Sequence, residues 1–230
     1  MQENDANLNT RRSMIMGLGA AIAGAAVVAP MTATAQTRGS GFQPSRHDID
    51  AWMGELPGNH RIFIDTATGK GGAEGLLYSF NLTNATRAAY AGEAASLAMV
   101  LCLRHFSTPF AFNDAMWEKY GEIFHPVTQI ADPNTNAAPR VNLTRATAYG
   151  VNLPNFGNTI DSVLELGVEI AICDAATQFL AAQIAAATGA EVGAAYEELK
   201  ANAVPGRFVS AGVMALTRAQ EYGYSLLYAG

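Results

Sequence analysis

Residues 167–183 read GVEIAICDAATQFLAAQ, and the reading of this stretch decides the fold. Residues 168–172 form a short apolar run rich in β-branched side chains, the composition of a buried strand. After Cys173 and Asp174 the composition turns alanine-rich and helical. A strand that hands over to a helix at a cysteine puts the thiol at the carboxyl end of a strand, where open α/β sheets form their ligand crevice. The thiol also sits by a helix N-terminus, whose partial positive charge favours negative sulfur. The alternative reading of Cys173 is a small buried hydrophobe, since cysteine is among the most buried residue types.

Upstream, residues 60–66 (HRIFIDT) read as the first strand, with Ile62, Phe63 and Ile64 as a continuous apolar core suited to burial on both faces. Residues 67–72 (ATGKGG) read as a glycine-rich turn and 73–90 as a helix with Leu76, Leu77, Phe80 and Ala88 on its apolar face. Such a turn either cradles an anion on backbone N–H groups, through Gly71 and Gly72, or is simply tight. It has neither P-loop nor GxGxxG spacing, so a nucleotide site rests on little. Asp65 and Lys70 are expected to point into one crevice.

Residues 95–105 read as the second strand, with Cys102 an inert core thiol and Arg104 and His105 at the carboxyl end. His105 there is either a hydrogen-bonded structural residue or a functional one. A short helix is expected over 113–120, capped by Asn113 or Asp114. Residues 124–158 carry four prolines and read as a long irregular insertion, of the kind that forms a lid or an oligomer contact. Helical pattern resumes over 156–166. After the key stretch come helices over 191–201 and 212–222, a short strand or link over 204–210 and a final strand over 224–228. Strands alternating with helices predict a single-domain α/β fold with a mostly parallel sheet of about five strands flanked by helices.

The N-terminal segment is read as a targeting signal. A twin arginine, Arg11-Arg12, precedes an apolar stretch over 14–28 and the small-residue site Ala33-Thr34-Ala35. This pattern resembles a Tat export signal occupying 1–35, with an uncleaved anchor as the alternative. A polar tether over 36–59 would follow, with a helical turn near 48–53 and Trp52 available to pack on the body. The mature chain is then periplasmic, with no membrane association after cleavage. A net charge of −6 argues against nucleic acid as a partner. Two cysteines are too few for a disulfide framework, although export would permit a Cys102–Cys173 bond. His60, His105, His125 and Cys173 have no metal-ligand spacing, so no metal is expected.

Four fragments, in order, resemble the DsrE/DsrF-like family, which includes the TusD-type sulfur-relay subunits. They are the first strand, turn and helix ending near NLTN at 81–84; the strand closing on Arg104-His105; GVEIAIC at 167–173; and VSAGVMAL at 209–216 with QEYGY at 220–224. The likeness spans roughly residues 60–230. It implies a compact α/β fold and assembly into homo-oligomers, trimers or hexamers. It also implies that Cys173 carries a persulfide; by their places at the strand ends and turn, His105 and Lys70 are the candidate helpers and Asp65, Gly71, Gly72, Arg104 and Asp174 the candidate binding residues around the crevice. No cofactor is implied; a sulfur donor or acceptor protein is. The chain departs from the family in its export signal, in the long insertion and in Asp174 directly after the cysteine, a carboxylate that would oppose a thiolate if turned inward. The competing function is a non-catalytic exported module that binds a ligand or partner at the same crevice.

Overall fold

A computed structural model of the protein describes Gly41 and residues 43–90 and 96–230. By its contacts the chain divides between Gln43 and Pro44, and every element below belongs to Pro44–Gly230. The expected signal over 1–35 and the first part of the expected tether lie outside the described residues.

Five strands form one all-parallel sheet: β1 His60–Thr66, β2 Leu97–Leu103, β3 Glu169–Cys173, β4 Arg207–Val209 and β5 Ser225–Ala229. Their order is β4-β3-β2-β1-β5. The helices are α1 Trp52–Glu55, α2 Gly69–Ala89, α3 Asp114–Thr128, α4 Ile160–Glu165, α5 Asp174–Thr188, α6 Val192–Ala201 and α7 Gly212–Glu221. The α/β reading of the sequence therefore holds.

The sheet separates two apolar cores. On one face Ile64, Leu101, Leu103, Ile170 and Ile172 pack with Leu76 of α2, Trp117 and Phe124 of α3, Leu180 and Ile184 of α5 and Leu199 of α6. On the other, Phe63, Val100, Cys102 and Ala171 pack with Trp52 and Met53 of α1 and Ala215 and Ala219 of α7. The chain thus advances from β1 to β4 with its helices on the first face, then returns to β5 through α7 on the second. Right-handed crossovers require this change of face when the direction reverses.

Residues 44–59 are integral to the second face. Arg61 donates to the carbonyls of Met53 (2.6 Å), Gly54 (3.2 Å) and Leu56 (3.2 Å), and Tyr224 Oη donates to Met53 O (2.8 Å). These bonds satisfy the α1 carbonyls that a short helix leaves open.

Several boundaries differ from the sequence reading. α2 starts four residues earlier, at Gly69, because Thr68 Oγ1 accepts from Gly71 N–H (2.8 Å) and caps it. Its buried face is small, Gly72, Gly75, Ser79 and Thr83 beside Leu76, while Phe80 is exposed. A Cβ on Gly75 would come 2.6 Å from Leu101 Cδ1, so the helix lies too near the sheet for large residues. α3 runs eight residues past Tyr120, its end anchored by buried Phe124 edge-on to Trp117 (5.2 Å).

The expected irregular region is instead built around its own small core of Leu143, Tyr149 and Leu153. Asn142 pins it, with Nδ2 donating to the Phe110 and Phe112 carbonyls (2.8 and 2.7 Å). Tyr149 Oη donates to Asp132 Oδ2 (2.6 Å); burial, then this carboxylate, pushes the phenol up to about 12. No helix among the described residues is long and apolar enough to cross a membrane.

Candidate functional site at the β3–β4 crevice

The chain leaving β3 enters α5 on one face of the sheet, and the chain leaving β4 enters α7 on the other. Adjacent parallel strands whose connections diverge in this way leave a crevice at their carboxyl ends. A cavity of about 330 Å³ occupies this place. Arg104, His105 and Phe106 line one side of it, and Cys173, Phe179 and Gly212 the other, with small alanines of α5 and the α7 entry between.

Cys173 ends β3 and is the N-cap residue of α5. Only 6% of it is exposed, so reagents reach its sulfur through the cavity. Its Sγ accepts the backbone N–H of Gly212, the first residue of α7, at 3.3 Å. Ala175 N–H donates to Ser210 O (3.2 Å), which ties the start of α5 to the approach of α7. The amino ends of two helices therefore meet at one sulfur, and negative charge on Sγ would meet one N–H donor already in place. Position 212 admits only glycine at this spacing: a Cβ would lie 2.5 Å from Arg104 Cβ and 3.0 Å from Cys102 Sγ.

Arg104 is held by a fork of two bonds to Asp65, Nε to Oδ1 at 2.5 Å and Nη2 to Oδ2 at 2.7 Å. Asp65 is buried at the end of β1, and the hydrogen bonds that Arg104 donates to its carboxylate raise the guanidinium pKa above its ordinary value. The cation at the cavity wall is thus permanent and fixed in orientation. His105 is exposed and left-handed (φ 55°), with its ring stacked on Phe106 at 3.8 Å. Strain of this kind persists only where neighbours impose it. Here buried Ser107 does so: its Oγ accepts from Arg104 N–H (3.0 Å) and lies 2.8 Å from Thr66 Oγ1, which donates to Cys102 O (2.7 Å).

Cys102 and Cys173 are both free. The register pairs Cys102 with Ala171, so Cys173 sits two residues further along β3, diagonal to Cys102. Cys102 is fully buried, and desolvation, then Asp65, pushes its thiol well above its ordinary value.

The structure thus brings together Cys173, Arg104 and His105, with Asp65 behind Arg104. It places the other expected residues elsewhere. Lys70 lies in the first turn of α2, paired with Glu74 (3.0 Å) and outside the cavity, because the helix begins before it. Gly71 and Gly72 serve close packing: a Cβ would come 2.2 Å from Ala229 O at the first and 2.8 Å from the Phe110 ring at the second. The Asp174 carboxylate accepts from Gln178 (2.7 Å) and Tyr196 Oη (2.6 Å), and so turns toward α6. His60 is at the amino end of β1, stacked on Tyr90, and His125 is in the last turn of α3, so neither reaches Cys173. Among the described residues no group of three or more potential ligands could hold a metal ion. No residue of 129–159 lines the cavity, so the insertion does not cover it.

Two features escaped the sequence reading. The Gly212 N–H is a backbone donor, invisible to side-chain motifs, although AGV at 211–213 was among the fragments of the family likeness. The exposed rings of Phe106 and Phe179 at the mouth interrupt otherwise small or polar stretches. Comparison with protein-family models, with curated proteins and with solved structures finds no match.

Proposed function

We propose that the protein is an exported DsrE-like sulfur carrier in which Cys173 holds a persulfide. The observation that carries this reading is the Gly212 N–H on Cys173 Sγ, at the wall of a cavity that also holds Arg104. A sulfur carrier needs a thiol that attacks a sulfane sulfur and later gives it up. Fixed N–H donors and a fixed cation favour both the attacking sulfur and the persulfide anion that results. The twin-arginine segment supports export to the periplasm in this reading, and the family likeness supports a trimer or hexamer that exchanges sulfur with a protein partner.

The second reading is a binding module with no chemistry at the thiol. Exposed Phe106, Phe179 and Val213 around the mouth favour it, since such a rim suits an apolar ligand. Loading the mature chain with inorganic polysulfide separates the two. Peptide mass spectrometry is expected to find one added sulfur on Cys173 and none on Cys102, lost on reduction. An unmodified Cys173 that also resists a small alkylating agent in the native state would leave the binding module.

A further inference from the structure

Resting on the persulfide reading, we infer that the cavity takes its sulfur from a small oxyanion with a terminal sulfane sulfur, of the thiosulfate type, recognised by Arg104. Three observations carry this. Cys173 is nearly closed to bulk solvent, so a donor reaches it through a cavity of about 330 Å³, a space that a small anion enters whole. Arg104 lines that cavity, and Asp65 takes its Nε and one Nη2 bond, which fixes the plane of the fork and leaves Nη1 and its two N–H groups without a partner among the described residues. The sulfur itself already accepts an N–H from the start of α7, so the thiol faces a helix amino end as well as Arg104. A neutral polysulfide would leave the free N–H groups of Arg104 unused.

The step balances without a further reagent. Cys173, its proton given to water, attacks the outer sulfur of the donor through Sγ. A new S–S bond forms to Cys173 as the bond between the two donor sulfurs breaks. Sulfite leaves with that electron pair, its oxygens on Arg104, and the chain keeps a persulfide anion. Sulfane sulfur is transferred, and no external oxidant or reductant takes part.

The test compares two donors on the mature chain, thiosulfate and neutral dimethyl trisulfide, by the rate at which each labels Cys173 in intact-mass spectra. The variant replaces the pair together, Arg104→Met with Asp65→Asn, so that no charge is left buried alone. Thiosulfate labelling is expected to fall about tenfold to hundredfold further than trisulfide labelling, the worth of a lost charge-assisted hydrogen bond to the donor, while an unchanged far-ultraviolet circular dichroism spectrum reports an intact fold. In the wild-type chain sulfate, which fits the same place but has no sulfur to give, is expected to slow thiosulfate labelling more than chloride does at equal ionic strength. Equal losses with both donors, or no more inhibition by sulfate than by chloride, would overturn the oxyanion site. Trisulfide labelling with none from thiosulfate in the wild type would overturn it and leave the persulfide reading standing; no labelling by either donor would overturn that reading too.

Discussion

Replacing Gly212 by alanine tests the geometry at the sulfur. The added Cβ would lie 2.5 Å from Arg104 Cβ and 3.0 Å from Cys102 Sγ, and both neighbours are held, one by Asp65 and one by the sheet. The start of α7 must therefore move outward. Overpacking of this kind costs about 1–3 kcal/mol of stability. The same movement lengthens the 3.3 Å bond from Gly212 N–H to Cys173 Sγ. A hydrogen bond to a charged acceptor is worth about 1.5–3 kcal/mol, or roughly tenfold to hundredfold in the rate of sulfur loading. Stopped loading with polysulfide, read by mass spectrometry, gives the rate, and urea denaturation gives the stability. Gly193 is the control: nothing lies within 4 Å of its Cβ position in α6, so Gly193→Ala is expected to raise stability by up to about 1 kcal/mol and leave loading alone. A Gly212→Ala chain that loads at the wild-type rate and unfolds at the wild-type midpoint would refute the argument.

Asp65→Asn alone leaves half-buried Arg104 without its carboxylate and is expected to cost about 3 kcal/mol in urea denaturation, against little for an exposed pair such as Arg140 with Glu122. Cys102→Ala is expected to leave sulfur loading at Cys173 unchanged, and native Cys102 to resist alkylation, since its burial holds it protonated. Glu198 accepts from Lys119 (2.5 Å) and Tyr120 Oη (2.6 Å), and these bonds lower its pKa below the ordinary carboxylate range. Its contribution to stability is thus full above the unfolded value of about 4.3 and is lost as pH falls through the lower folded value. Glu198→Gln is expected to flatten that part of the stability profile, and an unchanged acid slope would count against the pair.

The legible parts of the fold are those whose signal is local. β1 was readable to the residue because a continuous apolar run between polar ends has one reading as a buried strand. β3 and α5 were readable because β-branched residues change to alanines at Cys173. α2 was misread because its buried face is made of glycine, serine and threonine, whose spacing has no apolar period, and the sheet's nearness decides it. That error also put Lys70 in a turn facing the crevice, where in fact it rides on the helix with Glu74. Pro126 suggested a loop, but it falls in the last turn of α3, whose end is set by the buried Phe124 ring and the left-handed Gln129. At the site, Cys173 and Arg104 were found from their places at strand ends. The Gly212 contact was not, because it joins residues 39 apart through a backbone amide.

Cyanolysis tests the central claim most directly. Cyanide removes a sulfane sulfur from a persulfide as thiocyanate, and so measures sulfur that the chain can give up again. A mature chain loaded with polysulfide and freed of excess donor is predicted to release one thiocyanate per chain, Cys102→Ala to release the same, and Cys173→Ser none. Thiocyanate from Cys173→Ser at the wild-type level, or none from the wild type, would contradict the assignment of Cys173 as the sulfur carrier.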